Sequence, residues 1–419
     1  MPHALVIGGS LGGLFAANLL HSIGWTVEVF ERVGDDLASR GAGIGTHEEM
    51  LDIMHRIGIT VDASIGVHPL SRTCLNTSGQ THHKMPRPRI LSSWGRLYRA
   101  LKDAFPEKNY HFNKTLLSFS EDPDGVTAYF ADQSQAHGDL LIGADGIRSS
   151  VRAQIMPDVK PQYAGYIAWR GLIPESSLPT ALHAEIFAHN MVCYPDGDAM
   201  TMYAVPGPNN DVREGHRAYN WVWYHPVEES RGLADLCTDQ SAHCHGTAIP
   251  PALIRPELIQ TMRANAHRLL APQCAQIIDL TPDPFFQAIF DLSSPQLVQG
   301  RALVLGDAAF VARPHVGMGV TKAALDAECL ADALKHHGLT DTALALFNRR
   351  QVLFGNRVIA RARHVGAHLG AQATKAPETW TAEERHQDPV RMMIESGTRL
   401  RDVPQLIELV LENRRAPGG

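Results

Sequence analysis

A glycine-rich segment near the amino terminus has the residue types and spacing of a dinucleotide-binding turn. Residues 8–13 read GGSLGG, between an apolar run at 4–7 and apolar residues that recur at helical spacing over 14–23. In a G-x-G-x-x-G turn, the glycines let the backbone approach a pyrophosphate, which the amides at the helix N-terminus then bind. Glu31 ends the next strand-like run, where a carboxylate can accept hydrogen bonds from a ribose diol.

The segment departs from that pattern at one position, because Ser10 replaces the middle glycine. Gly8 still permits the tight turn, Gly13 still lets the helix lie close to the strand, and the serine adds a hydroxyl donor. The alternative is an ordinary glycine-rich turn that binds no ligand. A strand, a helix and an acidic residue in the expected register favour the dinucleotide site.

Two later segments carry an aspartate where a strand ends. Residues 143–152 read GADGIRSSVR, with Asp145 at the turn, and residues 306–320 read GDAAFVARPHVGMGV, with Asp307 in the second position. Asp307 is suited to bind a ribityl hydroxyl, and a helix that begins near Gly319 would offer amides to a negatively charged ring edge. Either segment taken alone is also compatible with a turn that binds no ligand.

The segments around these motifs predict an α/β fold with two lobes. Strands and crossover helices next to the three motifs indicate a Rossmann-like domain with a parallel sheet. Short β-rich runs over 160–230 predict a separate antiparallel β-sheet that covers a substrate cavity. Helical spacing predicts C-terminal helices over 319–337, 341–370 and 390–413.

The three motifs, in this order and at these separations, resemble those of the single-component FAD-dependent aromatic hydroxylases typified by 4-hydroxybenzoate hydroxylase. This resemblance covers nearly the whole chain. In addition, QYAGYIAWRG at 162–171 and ARPHVGMGVTKAALDA at 312–327 look like segments of the 2,6-dihydroxypyridine 3-hydroxylase-like monooxygenases. The narrower resemblance involves Trp169 and Arg170, and it implies a substrate class rather than one substrate.

The resemblance implies FAD as the cofactor and NADH or NADPH as the co-substrate. The residues that it assigns to FAD are Gly8, Gly9, Ser10, Leu11, Gly13, Glu31, Arg32, Arg40, Asp145, Gly146, Asp307, Gly319, Val320 and Thr321. Many members of the family carry an arginine where this chain has Trp94, so we expect one polar contact with FAD to be lost or moved.

The implied reaction is hydroxylation of a small, electron-rich aromatic or hydroxypyridine-like ring by dioxygen, through a flavin C4a-hydroperoxide. Because that species is an electrophile, the site must exclude water and promote deprotonation of the substrate. His315 lies in the loop expected beside the flavin ring, and an imidazole titrates near neutral pH. We predict His315 as the catalytic base; the alternative is a histidine that only hydrogen-bonds the backbone.

Aromatic residues of the predicted antiparallel sheet are candidates to line the substrate cavity, although aromatic residues are also frequent in hydrophobic cores. The predicted substrate contacts are Tyr194, Tyr203, Trp221, Pro314 and His315, and Tyr224 is a further aromatic of the same sheet. None of the 22 histidines has H-E-x-x-H or Cys-pair spacing, so no metal site is expected.

The order of the motifs divides the chain into segments that alternate between two domains. The expected segments are 1–75, 93–155 and 291–345 for the FAD-binding domain, 76–92 and 156–290 for the substrate domain, and 346–419 for a C-terminal helical region.

The composition of the 419 residues argues against several classes of protein. Hydrophobic residues make up 44%, charged residues 20%, and the net charge is −6, which gives no basic surface for nucleic acid. No apolar run reaches the roughly 18 residues that span a bilayer, and the six cysteines form no Cys-x-x-Cys pair. We expect a cytoplasmic protein with a small aromatic substrate and dioxygen as partners, without nucleic acid or membrane, and we allow for a homodimer.

Two other functions stay open from the sequence. One is an FAD-dependent reductase, dehydrogenase or epoxidase on the same scaffold, and the other is a non-catalytic flavin-binding sensor. Substrate-stimulated oxidation of NAD(P)H and product analysis with labelled dioxygen would distinguish them.

Overall fold

A computed structural model describes residues 1–34, 43–86 and 89–415. The strands are β1 (His3–Ile7), β2 (Thr26–Phe30), β3 (Gly43–Gly45), β4 (Ser71–Leu75), β5 (Thr81–Pro86), β6 (Leu91–Ser93), β7 (Tyr110–His111), β8 (Leu116–Asp122), β9 (Gly125–Phe130), β10 (Gln135–Gly138), β11 (Leu140–Gly143), β12 (Gln162–Pro174), β13 (Asn190–Cys193), β14 (Ala199–Val205), β15 (Ala218–Pro226), β16 (Phe285–Asp291), β17 (Val298–Gln299) and β18 (Ala302–Val304). The α-helices are α1 (Leu11–Ser22), α2 (Glu48–Arg56), α3 (Trp94–Asp103), α4 (Ser150–Ile155), α5 (Thr180–Ile186), α6 (Ala234–Leu236), α7 (Pro256–Leu269), α8 (Pro272–Asp279), α9 (Gly319–His337), α10 (Asp341–Val365), α11 (Ala367–Thr374), α12 (Pro389–Gly397) and α13 (Pro404–Arg414).

The three glycine-rich motifs lie at the ends of neighbouring strands in a six-stranded sheet. Its order is β17-β18-β11-β1-β2-β7, and all neighbouring strands are parallel except β17 and β18. Helices α1 and α9 contact each other beside this sheet. Because the strands β1, β11 and β18 are adjacent and parallel, their carboxyl ends bring the three motifs to one edge. The Rossmann-like domain predicted from the sequence is confirmed.

A seven-stranded sheet forms the second lobe, in the order β16-β12-β15-β14-β13-β4-β5. The neighbours are antiparallel except β13 and β4, which run parallel. Residues 71–75, expected in the first part of the FAD-binding domain, therefore form β4 of this sheet. The expected boundary at 75/76 is too late, because the β4–β5 hairpin enters the substrate lobe as a unit.

The two faces of the seven-stranded sheet have different neighbours. One face packs against α5, α7 and α8 in a hydrophobic core that includes Trp169 and Trp221. Side chains alternate along a strand, so Arg170 and Val222, their chain neighbours, face the other side and line a cavity. This cavity lies between the two lobes, and α12 also contributes residues to its lining.

The C-terminal region is helical, as expected, but it is divided differently. The expected helix over 341–370 is α10 and α11, separated at Gly366. The expected helix over 390–413 is α12 and α13, since α12 ends at Gly397 and a new helix begins at Pro404. Within the residues that the structure describes, no helix combines the length and apolar character that crossing a membrane requires.

Candidate active site

The turn between β1 and α1 has the close backbone packing that a dinucleotide turn needs. Gly8 has a φ of 102°, in the left-handed region that favours glycine. A Cβ on Gly13 would lie 1.9 Å from the carbonyl oxygen of Gly8, so only glycine fits there. Helix α1 begins at Leu11, directly after this turn. Its first amides are therefore available to a pyrophosphate.

Glu31 holds this turn from the end of β2. Its Oε2 accepts a hydrogen bond from the Gly9 amide at 2.8 Å, and its Oε1 accepts one from the Val33 amide at 3.0 Å. The side chain is buried but also lines the adjoining cavity. Each carboxylate oxygen has a further lone pair, so Glu31 can hold the turn and accept hydrogen bonds from a ribose at the same time.

Buried side chains connect the second and third motifs. The Arg152 guanidinium donates from Nη1 to the Ala308 carbonyl at 2.9 Å and from Nη2 to the Ile147 carbonyl at 2.6 Å. These bonds join α4, which follows the GADG turn, to the Gly-Asp turn after β18. The relative position of Asp145 and Asp307 is thereby set by a buried link.

A buried ion pair joins the Gly-Asp turn to the first turns of α9. Lys322 Nζ donates to the Gly306 carbonyl at 2.8 Å and lies 3.1 Å from Asp326 Oδ2, which accepts from the Gly306 amide at 2.9 Å. Both side chains are fully buried. Sequence reasoning missed this pair, since lysine and aspartate four residues apart in a helix more often form an exposed surface pair.

The three motifs together line a cavity of about 450 Å³. The predicted FAD residues on its wall are Gly8, Ser10, Leu11, Glu31, Arg32, Asp145, Gly146, Asp307, Gly319 and Val320. Gly9 and Gly13 lie behind this wall and shape it, and Thr321 is buried in α9 without lining it. Arg40 lies outside the described residues. Trp94 also lines the cavity and stacks on Tyr98, with ring centroids 4.9 Å apart, so an indole occupies the position of the expected arginine.

Unpaired carboxylate oxygens on this wall fit a ligand that carries hydroxyl groups. Asp145 Oδ2 accepts from the amides of Ser150 and Val151, whereas Oδ1 is buried with no partner among the described residues. Asp307 opens onto the cavity, where the surrounding protein desolvates its carboxylate and raises its pKa. Hydroxyl donors of an FAD ribose or ribityl chain would satisfy such oxygens, so the residues fit FAD.

A second cavity, of about 270 Å³, adjoins the FAD cavity. The two share Asp307, Gly319 and Val320 on their walls. The second cavity extends from these residues to the seven-stranded sheet. Of the predicted substrate contacts, Tyr194, Tyr203, Pro314 and His315 line it, and so does Tyr224 of the same sheet. The structure thus brings these residues together next to the predicted flavin end.

Trp221 is a correction to the predicted substrate contacts. Its side chain is fully buried on the opposite face of the sheet, and its Nε1 donates to Thr281 Oγ1 at 2.8 Å. On β15 the cavity side belongs to Val222 and Tyr224. The aromatic run YNWVWY contains both faces of one strand, so composition alone could not tell which rings face the cavity.

His315 is held by aromatic side chains in the second cavity. Its Nε2 lies 2.7 Å from the Tyr166 hydroxyl, and Tyr224 packs edge-on with ring centroids 4.4 Å apart. Burial lowers the pKa of His315 well below its ordinary value, and the nearby His368 and Arg313 lower it further. The imidazole is therefore neutral at pH 7, the form that can accept a proton.

Tyr166 and Arg313 support that histidine. Burial raises the pKa of Tyr166, so its hydroxyl stays protonated. The Arg313 guanidinium lies 5.6 Å from the Tyr166 ring centroid and forms an ion pair with Asp291 at 2.9 Å. Arg313 also donates to the Gly366 carbonyl at 3.1 Å. The loop that carries His315 is thus fixed to both the sheet and the start of α11.

Three arginines line the second cavity, and the sequence alone does not indicate that they lie together. Arg72 comes from β4, Arg170 from β12, and Arg89 from the segment before β6. Of these, only Arg170 belonged to a segment of family resemblance, and its orientation was open. Alternation along β12 settles it: Trp169 packs in the helical core, and Arg170 faces the cavity.

Known proteins match this chain over most of its length. A family model described as FAD binding domain-like matches residues 163–291, which span β12 to β16. The 2,6-dihydroxypyridine 3-monooxygenase of Paenarthrobacter nicotinovorans is 29% identical over 369 residues, covering 87% of this chain and 90% of that protein. The aurachin C monooxygenase/isomerase of Stigmatella aurantiaca is 30% identical over 375 residues, covering 86% of this chain and 88% of that protein.

A solved structure extends the similarity to the three-dimensional fold. The structure of 2,6-dihydroxypyridine-3-hydroxylase from Arthrobacter nicotinovorans superposes with a TM-score of 0.82 at 27% identity, covering 90% of this chain and 95% of that chain. The resemblance predicted from the motifs is confirmed. With relatives of this identity matching most of its length and a cavity that fits FAD, the chain belongs to the family of FAD-dependent aromatic monooxygenases.

Proposed function

We propose that this enzyme hydroxylates a small, electron-rich N-heteroaromatic ring of the hydroxypyridine type, consuming NAD(P)H and dioxygen. One observation carries the proposal: a neutral histidine, His315, lies in a small cavity that is continuous with the FAD cavity. Relatives named for 2,6-dihydroxypyridine and 6-hydroxynicotinate support the choice of ring.

The residues that would hold FAD follow from the walls of the larger cavity. The β1–α1 turn and Glu31 would bind the pyrophosphate and ribose, Asp145 and Asp307 the hydroxyl-bearing parts, and the start of α9 at Gly319 the ring edge. When bound, FAD supplies the transfer of electrons from NAD(P)H and the activation of dioxygen.

His315 would take the proton from the ring hydroxyl of the substrate. His315 Nε2 lies 2.7 Å from the Tyr166 hydroxyl, and among the described residues Nδ1 has no hydrogen-bond partner. In the tautomer in which Nε2–H donates to that hydroxyl, the Nδ1 lone pair would take the proton. Deprotonation makes the ring more electron-rich, which an electrophilic oxygen donor requires. Tyr166 acts through His315 as a positioning residue, because its hydroxyl holds the imidazole in place.

Apolar side chains would keep water away from the reacting ring. The cavity wall includes Met200 and Val222 from the sheet, Met318 from the loop before α9, and Val365 from α10. A substrate that fills a cavity of about 270 Å³ leaves little room for solvent. Exclusion of water favours oxygen transfer over release of hydrogen peroxide.

The test is to load the purified protein with FAD and follow NAD(P)H consumption with a panel of hydroxypyridines and hydroxybenzoates. We expect at least one hydroxypyridine to accelerate consumption and to yield a hydroxylated product only in the presence of oxygen. Product formed equally without oxygen would indicate a reductase or dehydrogenase. No acceleration by any compound would favour a flavin-binding sensor. A cytoplasmic location and a homodimer stay part of the proposal, to be tested by cell fractionation and light scattering.

A further inference from the structure

The substrate cavity has an excess of positive charge. Arg72, Arg89 and Arg170 all line it, and among the described residues of its wall the sole carboxylate is Asp307, on the side shared with FAD. None of the three arginines forms an ion pair with a carboxylate in the part of the chain that the structure describes. Elsewhere in this protein, the partly buried Arg217 pairs with Glu175 at 2.7 Å, whereas the buried Arg152 donates to backbone carbonyls. Cations removed from water without a counter-ion are costly, which indicates that an anion belongs in this cavity.

Arg170 has donor capacity left for a ligand. Its Nη1 donates to Gln287 Oε1 at 2.7 Å, a neutral partner. Its Nε is buried and has no partner within the described residues. Arg170 is also the foremost cation acting on both Tyr203 and Tyr224, since it lowers the pKa of each hydroxyl against the raising effect of burial. Arg170, Tyr203 and Tyr224 all line the second cavity.

Arg72 brings a second positive charge without a carboxylate partner. It comes from β4, toward the other edge of the same sheet. Its Nη1 donates to Asn190 Oδ1 at 2.7 Å, and its Nη2 donates to Ser396 Oγ at 2.8 Å. Both partners are neutral. They fix the guanidinium in place and leave its charge free to act on the cavity.

Arg89 has a different role, because several of its donors already bind protein groups. Its Nη1 donates to the Val316 carbonyl at 3.1 Å and lies 2.6 Å from His47 Nε2, and its Nη2 donates to the Ser396 carbonyl at 2.8 Å. Burial lowers the pKa of Arg89 to about 10, and the charge of Arg72 contributes. Arg89 thus ties the loop before α9, through Val316, to α12 and adds positive potential to the cavity.

Tyr203 lies on the cavity wall between the strands that carry Arg170 and Arg72. Strand β14, which carries Tyr203, is flanked by β15 and β13, and these lead outward to Arg170 on β12 and to Arg72 on β4. All three guanidinium groups act on the Tyr203 hydroxyl. A hydroxyl that donates beside a guanidinium is a suitable partner for a carboxylate, which can accept from both at once.

We propose that the substrate is an aromatic or N-heteroaromatic carboxylate, and that its carboxylate binds Arg170 and the Tyr203 hydroxyl within the positive field of Arg72 and Arg89. This inference rests on the proposed function, because the ring is assumed to extend from these residues toward His315. A substrate whose single negative charge is the deprotonated ring hydroxyl would leave most of this positive charge uncompensated.

The first experiment compares an acid with its neutral amide of similar size, and with the unsubstituted ring, on the FAD-loaded enzyme. The probes are 6-hydroxynicotinate, its neutral amide 6-hydroxynicotinamide, and the unsubstituted 2-hydroxypyridine; binding is read from the change in bound-flavin absorbance, and turnover from NAD(P)H oxidation. We expect the carboxylate to bind roughly tenfold or more tightly than the amide, as is typical of a charge-assisted hydrogen bond. Equal affinity for acid and amide would overturn the proposal.

The second experiment removes the arginine. In Arg170→Met, the preference for acid over amide should fall roughly tenfold or more, while affinity for the amide changes little. Arg170→Lys should retain part of the preference, because lysine keeps the charge but not the planar fork. Arg268→Met, an exposed arginine on α7, is the matched control and should behave as the unmodified protein. Equal loss of acid and amide binding in Arg170→Met would overturn the direct contact.

The outcomes separate this inference from the proposed function. If 2-hydroxypyridine is hydroxylated but 6-hydroxynicotinate binds no more tightly than its amide, the carboxylate site is refuted and the monooxygenase function stands. No stimulation of NAD(P)H oxidation by any probe or by the wider panel, in a protein that retains FAD, would refute the proposed function itself. Arg72→Met gives an independent check, since loss of its charge should weaken binding of the acid and not of the amide.

Discussion

The two adjoining cavities are constructed in different ways. The FAD cavity depends on backbone: a left-handed Gly8, a Gly13 with no room for a Cβ, and helix N-termini at Leu11 and Gly319. The substrate cavity depends on side chains from many separate elements, including arginines, tyrosines and histidines on the sheet and the loops. One region can therefore be damaged by adding a single methyl group, whereas the other changes its chemistry when side chains are exchanged.

This difference separates binding of the cofactor from choice of the substrate. Backbone amides and glycine turns bind a phosphate-containing group whatever the substrate is. Side chains on the sheet decide which ring is bound and where its proton goes, and they lie at positions that substitution can alter without disturbing the turns. Substitutions in the two regions should consequently have separable effects.

The largest effect is expected at His315. Replacing His315 with Gln removes the proton acceptor and should slow hydroxylation about 10²–10⁴-fold, while the rate of flavin reduction by NAD(P)H without oxygen stays unchanged. Rapid-mixing measurements of the reductive and oxidative half-reactions provide the two rates. The exposed His55→Gln is the control. An unaltered oxidative half-reaction in His315→Gln would show that the imidazole is structural.

A smaller effect, confined to the cofactor, is expected from Gly13→Ala. The new Cβ would lie 1.9 Å from the Gly8 carbonyl oxygen, which forces a shift that costs about 1–3 kcal/mol. FAD affinity should drop by roughly five- to a hundredfold. Gly12→Ala is the matched control, because its Cβ would meet Ala323 at an ordinary 3.4 Å. Titration of the apoprotein with FAD measures both; equal affinities would argue against the close packing at Gly13.

The smallest effect is a pH dependence of the unfolding free energy, which comes from buried histidines on the substrate side. Burial lowers the pKa values of His47, His315 and His368, that of His368 to about 4. Because the unfolded chain binds protons more readily, the stability from these groups is complete above about pH 6.5 and declines as the pH falls below it, by up to about 1.4 kcal/mol per pH unit for each group.

Urea unfolding at several pH values checks this, with His368→Asn as the variant. Between pH 6.5 and 5, the unfolding free energy of His368→Asn should fall less than that of the unmodified protein. A decline identical to that of the unmodified protein would show that His368 is not held in its neutral form.

The FAD side was predictable from the sequence because its requirements are local. Gly8, Gly13 and Glu31 lie within one strand–helix–strand unit, and their spacing follows from the geometry of that unit. Asp145 and Asp307 could be assigned for the same reason, since each follows a strand of the same sheet. Lys322 and Asp326 were missed because nothing local shows that this pair is buried.

The substrate side was only partly predictable because its residues meet across the sheet. Trp221 was assigned to the cavity although its strand presents Val222 and Tyr224 there, and a run rich in aromatics does not reveal which face is covered by helices. Arg72 lies on β4 and Arg89 just before β6, far from Arg170 in the sequence. They line the same cavity as Arg170 because of the order of the strands in the sheet. Strand order is a property of the folded chain and cannot be inferred from any one segment.

The central claim is that the cavity beside the FAD site transfers an oxygen atom from dioxygen to an aromatic ring. Turnover under ¹⁸O₂, followed by mass spectrometry of the product, tests it most directly. We predict one ¹⁸O atom in each hydroxylated product molecule and none from H₂¹⁸O. A product oxygen derived from water, or hydrogen peroxide as the only oxygen product during substrate-stimulated NAD(P)H oxidation, would contradict the account.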